Sequence, residues 1–208
     1  TAVRAFYDRH PYPPPVTDLD DCRQRWQDED RRRADYHLYW PGRLYRDNLN
    51  ILIAGCGTAQ AARYALRQPE ASVTGIDVSS TSIEQTQALK RQYHLENLEI
   101  HQLPIERAHE LGQCFDQIIC TGVLHHLPDP DAGLSALRKV LKPDGAMHLM
   151  VYATYGRAGI YMLQDYCRRL GIGRSDKEIR DLAHTLTALP PGPPLALFNQ
   201  EVPDLPSK

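Results

Sequence analysis

The chain has 208 residues, with 24 lysines and arginines against 26 aspartates and glutamates and a formal charge of −2. That length allows one full domain with an appendage, and 42% hydrophobic with 24% charged residues excludes a disordered chain. The near-neutral balance gives no general pull towards phosphate backbones, and no apolar run reaches the roughly 18 residues of a membrane helix, so neither a dedicated nucleic-acid binder nor a membrane protein is expected.

Four of the 16 prolines lie in residues 1–15 and six in residues 190–208, so neither end reads as a long helix or a central strand. The opening TAVRAFYDRH lacks the apolar core of a signal peptide, which points to the cytoplasm. HPYPPP (10–15) reads as an extended stretch, either a loose tail or a strap across a surface. Residues 18–47 are polar, and DEDRRR (28–33) reads as a solvated helical face with acids and arginines side by side. Pro41-Gly42 should end that helix just after Tyr36, Tyr39 and Trp40.

From residue 50 the pattern alternates. NILIAG (50–55) predicts a buried strand, Thr58–Gln68 a helix, SVTGID (72–77) a second strand. Ser79, Ser80 or Thr81 can cap a helix running to about His94. Leu98–Gln102 and FDQIICTG (115–122) are the third and fourth strands, and a helix starts at Asp129 or Asp131. KPDG (142–145) predicts a turn, AMHLMVYA (146–153) a fifth strand, and helical patterns follow at 157–170 and 175–188. The strands lack a clean two-residue alternation, so both sheet faces should be covered. The expected fold class is α/β: a doubly wound, mostly parallel Rossmann-like sheet with helices on both faces. We divide it into a cap segment (1–45), a core (46–155) and a helical extension with a proline-rich tail (156–208).

The five cysteines, Cys22, Cys56, Cys114, Cys120 and Cys167, are odd in number with no C-x-x-C pair, which argues for reduced thiols rather than a disulfide framework or zinc ribbon. The nine histidines contain no H-E-x-x-H, so no metal site is expected.

In such sheets ligands sit beyond the carboxyl ends of the strands, where strand order reverses. Gly55-Cys56-Gly57 follows the first strand and would let a ligand approach the backbone and the start of the next helix. Asp77 ends the second strand and can accept the two hydroxyls of a ribose. A dinucleotide fingerprint would need glycine at position 60, where Gln60 stands, which argues against a nicotinamide-dependent reductase.

ILIAGCGTA, GIDVS, FDQIICTGVLHHL and LKPDG, in this order and spacing, resemble the cofactor motifs of the class I S-adenosylmethionine-dependent methyltransferases across about residues 48–153. The resemblance implies a seven-stranded Rossmann-like sheet, S-adenosylmethionine as cofactor and S-adenosylhomocysteine as product. It implies that Gly55, Cys56 and Gly57 wrap the methionine part, Asp77 holds the ribose and Val78 lies beside the adenine. Leu103, Pro104 and Ile105 would flank the adenine ring. Thr121 and Gly122 would lie near the amino-acid end of the donor, and Val123 to His126 would border the methyl group and acceptor. The family's acid two residues before the first glycine is Ile53 here, its third glycine is Ala59 and its adenine-contacting Asp is Leu103. The donor's ammonium would then need a backbone carbonyl.

His125 and His126 are the candidates for a general base if the acceptor carries a proton. The alternative is that one packs beneath the strand and the other caps the next helix. Tyr7, Tyr12 and Trp40 are candidates for an aromatic lid over the sulfonium, or else simply pack on the sheet edge. Tyr152, Tyr155, Tyr161 and Met162 could line the acceptor pocket or form the core of the helix at 157–170. The acceptor is expected to be a small molecule, with a protein side chain or a silent donor-binding module as alternatives. After residue 153 there is no good strand pair, so the native polypeptide is expected to continue past Lys208, or a further domain or second copy to cover the sheet edge.

Overall fold

A computed structural model describes residues 2–11, 13–173 and 175–188. Five strands, β1 (Asn50–Ala54), β2 (Ser72–Asp77), β3 (Leu98–Gln102), β4 (Phe115–Thr121) and β5 (Leu141–Met150), form one sheet of order β3-β2-β1-β4-β5. Every pairing is parallel. The order reverses between β1 and β4, so the carboxyl ends of these two strands flank the crevice where such sheets hold ligands. The chain divides into two compact units, residues 1–151 and 152–208.

The strands are apolar on both faces because both faces are buried. Ile51 and Ile53 of β1 join Val73, Leu98 and Ile119 in one core. Leu52 and Ala54, one residue out of phase, join Ile76, Phe115, Ile118 and Leu137 in the other. The first core is covered by α2 (Asp20–Trp26), α3 (Glu29–Tyr39), α4 (Gln60–Arg67) and α5 (Ser80–Tyr93). The second is covered by α6 (Pro130–Lys139) and a 3₁₀ turn, Ile105–Leu111, that the sequence pattern did not predict.

Caps set the helix starts. The Ser79 hydroxyl accepts from the Ser82 N–H, and Asp129, followed by Pro130, accepts from the Ala132 N–H at 2.9 Å. The stretch 142–145, read as a turn, is instead a bulge inside β5. Phe115 pairs with Leu141 but Gln117 pairs with Ala146, so β5 carries three extra residues there. The bulge brings the Lys142 ammonium to 2.9 Å from Asp116 Oδ2.

A helix, α1 (Ala2–Arg9), precedes the prolines. The segment after it is a strap and not a loose tail. Thr58 Oγ1 donates to the Pro13 carbonyl, Gln92 Nε2 to the Thr17 carbonyl, and the Leu19 N–H to the Tyr93 hydroxyl. Trp40 is not part of a lid. It is 5% exposed, stacked 4.8 Å from Tyr36, and its indole N–H donates to the Asp144 carbonyl on the β5 bulge, at the amino end of the sheet.

Residues 152–208 contain α7 (Ala158–Arg169) and α8 (Asp176–Thr187). Tyr155, Tyr161 and Met162 are exposed and do not form a helix core. The proline-rich tail and Tyr12 lie outside the described residues. Among the described residues the sheet ends at β5, whose Leu149 and Met150 are exposed, as is Val151 just after it, and no helix is long and apolar enough to cross a membrane.

Candidate functional site

β1 ends in a left-handed turn. Gly55 has φ +73° and Gly57 φ +55°, a region open to glycine without strain. The Gly55 and Cys56 N–H groups both donate to the Ile76 carbonyl, which ties the turn to β2. A β-carbon on Gly55 would lie 2.4 Å from Val123 Cγ2, so the backbone there must stay bare.

Asp77, at the end of β2, grips the same turn. Its Oδ2 accepts from the Gly57 N–H and its Oδ1 from the Ser79 N–H, each at 2.9 Å. Each oxygen keeps a second lone pair. Burial pushes the Asp77 carboxyl above its ordinary range, and the Ser79, Gly57 and Val78 N–H groups only partly pull it back. The Asp8 carboxylate adds to the rise.

The predicted residues fall into two groups. Gly55, Gly57, Asp77, Val78, Thr121 and Gly122 come together at the carboxyl ends of β1, β2 and β4, and Leu103 joins them through its N–H, which donates to the Asp77 carbonyl. Pro104 is half-buried just after Leu103. Cys56 and Ile105, by contrast, send their side chains into the two cores at 1% and 5% exposure. Cys56 therefore offers the turn only its backbone, and burial drives its thiol pKa far up.

His125 and His126 lie on a 3₁₀ turn, Leu124–His126, beyond β4, with ring centroids 4.3 Å apart. Neither caps α6, because Asp129 does. Tyr7 reaches this turn from α1, its hydroxyl 3.2 Å from His126 Nε2. One residue further on, Asp8 Oδ1 accepts from the Ser79 hydroxyl at 2.8 Å, and its carbonyl accepts from the Thr81 hydroxyl. So α1 bridges the β2 side of the crevice to the β4 side.

Sequence reasoning did not single out Asp8 or Gln60 as site residues. Gln60 opens α4, and its Nε2 donates to Thr121 Oγ1 at 2.9 Å across the crevice. The signal for Gln60 was its place in the first turn after the glycine loop. Outside the crevice, an open groove of about 590 Å³ runs along α2 and α4, from Gln60 past Cys22 and Arg63 to Trp26 and Arg67. No three His, Cys, Asp or Glu side chains gather as a metal site among the described residues.

Comparisons with known proteins agree with this architecture. A family model described as a methyltransferase domain matches residues 52–147. An uncharacterized protein of Synechococcus sp. is 38% identical over 168 residues, covering 79% of this chain and 40% of that protein. The ubiquinone biosynthesis O-methyltransferase of Pseudomonas fluorescens is 29% identical, covering 67% of this chain and 54% of the relative. The chain thus spans about half or less of the curated relatives it matches. Among solved structures, PKMT2 from Rickettsia typhi shares the fold with a TM-score of 0.61 at 24% identity, over 91% of this chain and 37% of that one. With the glycine turn, the Asp77 carboxylate and the parallel sheet in place, the methyltransferase-domain match over residues 52–147 and these likenesses support a class I S-adenosylmethionine-dependent methyltransferase.

Proposed function

We propose that the chain transfers a methyl group from S-adenosylmethionine to a small molecule. The observation that carries this is the Asp77 carboxylate, fixed on the Gly57 N–H beside a turn with no room for a side chain. A ribose diol offers hydroxyl donors to the acceptor capacity that the Asp77 carboxylate has left. The residues therefore fit the donor at its sugar, and the bare backbone of Gly55–Gly57 fits its close approach.

Once bound, the donor supplies an electrophilic methyl on a positively charged sulfur. The chain's own residues must then align the acceptor, exclude water and take a proton. Alignment of this kind supplies on the order of 7–11 kcal/mol in favourable cases. The contacts of α1 through Tyr7 and Asp8 cover the crevice, which suits a small acceptor better than a polypeptide. We assign the base to His126. An acceptor hydroxyl that replaces the Tyr7 hydroxyl at His126 Nε2 loses its proton to that nitrogen as its oxygen takes the methyl group from the sulfonium. The relatives named for ubiquinone biosynthesis, an O-methyltransferase activity, support an oxygen acceptor on a small molecule.

Ile53 favours a second reading. It is fully buried where family members often carry an acid, which is compatible with a domain that holds the donor without turning it over. Calorimetric titration with S-adenosylmethionine and S-adenosylhomocysteine, followed by radiolabelled methyl transfer to a panel of hydroxylated small molecules, separates the two. Binding with transfer supports the enzyme, binding without transfer to any acceptor supports the silent module, and no binding rejects both.

A further inference from the structure

We propose that the groove between α2 and α4 is a second ligand site, which takes a small molecule bearing a phosphate monoester and seats the phosphate between the guanidiniums of Arg25 and Arg63. The groove has a volume of about 590 Å³, within the range of small-molecule sites. It lies outside the donor crevice and meets it at Gln60, so the site does not rest on what the crevice binds.

α2 brings Cys22 and Arg25 to one wall of the groove, and α4 brings Arg63 and Arg67 to the other. Cys22 Sγ donates to the Arg63 carbonyl at 3.9 Å, which places the thiol where the two helices meet. Burial pushes this thiol up, and Arg63, Arg25 and Arg67 each pull it back, so the fields of three guanidiniums overlap at one point. Arg67 is answered within the chain, because it pairs with Asp35 and stacks 4.0 Å from the Trp26 ring centroid. Other arginines also meet carboxylates of the chain, Arg43 with Asp144 and Arg107 with Glu110. Among the described residues Arg25 and Arg63 have no ion pair, although Asp18 and Asp21 line the same groove. Asp18 accepts instead from the Asp20 N–H and the Tyr93 hydroxyl. Like charges on two facing walls repel, and an anion seated between them removes that repulsion. A carboxylate brings one charge, whereas a phosphate monoester brings close to two and three acceptor oxygens, which suits two planar guanidiniums. Asp18 and Asp21 repel an extended polyanion, so the occupant is a small molecule and not a nucleic acid.

The test is calorimetric titration of the whole chain with glycerol 3-phosphate, with acetate as the singly charged comparator. One glycerol 3-phosphate per chain is expected, bound at least about tenfold more tightly than acetate. Arg25→Gln and Arg63→Gln are each expected to weaken it about tenfold, the size of one lost charge-assisted hydrogen bond. Arg91→Gln removes the same charge from an exposed position on α5 and is expected to leave binding within about twofold, since distant surface charges are screened. Saturating glycerol 3-phosphate is also expected to slow alkylation of Cys22 by iodoacetamide and to leave that of the exposed Cys114 unchanged. Binding no tighter than that of acetate overturns the proposal, as do equal losses in all three variants or no loss in Arg25→Gln and Arg63→Gln. Cys22 alkylation that is unaffected by bound glycerol 3-phosphate overturns the placement in this groove.

Discussion

Gly75 on β2 and Ala61 on α4 approach so closely that a β-carbon on Gly75 would lie 2.8 Å from the Ala61 methyl and 3.3 Å from Cys56 Sγ. In dinucleotide-binding folds the third glycine of the fingerprint permits this contact from the helix side. Here the strand supplies it, which frees position 60 for a polar side chain.

Gly75→Ala should therefore destabilise the domain by about 1–3 kcal/mol, the cost of overpacking a filled core. Urea unfolding followed by circular dichroism checks this. An unchanged midpoint would show that α4 can move away from the sheet at no cost.

A second prediction concerns the opposite end of the sheet. Asp116 has 3% of its side chain exposed and accepts from Arg46, Lys142 and the Asn50 N–H. Burial pushes its carboxyl up, but the three donors outweigh burial and hold it below the ordinary carboxylate value. The stability it confers is thus present above the pKa of the unfolded chain and disappears as pH falls through the lower folded value. Asp116→Asn should cost about 1.5–3 kcal/mol at neutral pH and flatten the acid limb of the stability curve. Parallel curves for the two proteins between pH 2 and 6 would contradict this.

The lid contacts make a kinetic prediction. Asp8 accepts from the Ser79 and Ser80 hydroxyls, and these donors hold its carboxyl below the ordinary value. Asp8→Ala should speed release of S-adenosylhomocysteine several-fold while leaving the midpoint of global unfolding nearly unchanged, because the site is near the surface. Stopped-flow displacement measures the rate. An unaltered release rate would mean that α1 does not gate the crevice.

Donor binding should also depend on pH through Asp77. Its carboxyl is raised in the free protein, chiefly by burial, so ionising it costs stability as pH rises through that value. Ribose hydroxyls favour the ionised form. Affinity should be complete above the raised value and fall as pH drops through it, starting higher than for an ordinary carboxylate. A flat titration series from pH 7 to pH 4 would argue against the diol contact.

Much of the core was legible because it depends on local pattern. The run ILIAG ends in a glycine, Ser79 precedes a helical stretch, and Asp129-Pro130 begins another; each element sits where its own residues place it. The misread features depend on partners far along the chain. For Trp40 the sequence leaves lid and packing both open, and the choice falls to packing because its indole meets a carbonyl 104 residues away. KPDG has turn composition, and only pairing with β4 shows it to be a bulge. Four prolines in the first 15 residues hid the eight-residue helix α1 ahead of them. The crevice glycines and Asp77 were visible, whereas the Gln60–Thr121 and Tyr7–His126 contacts join residues 61 and 119 positions apart, which no periodicity reveals.

The most direct test is titration of S-adenosylhomocysteine into the native chain and into Asp77→Ala. One ligand per chain is expected for the native protein, with affinity reduced by at least about tenfold in the variant, as for loss of a charged hydrogen-bond acceptor. Undiminished binding by a folded Asp77→Ala protein would contradict the account at its centre.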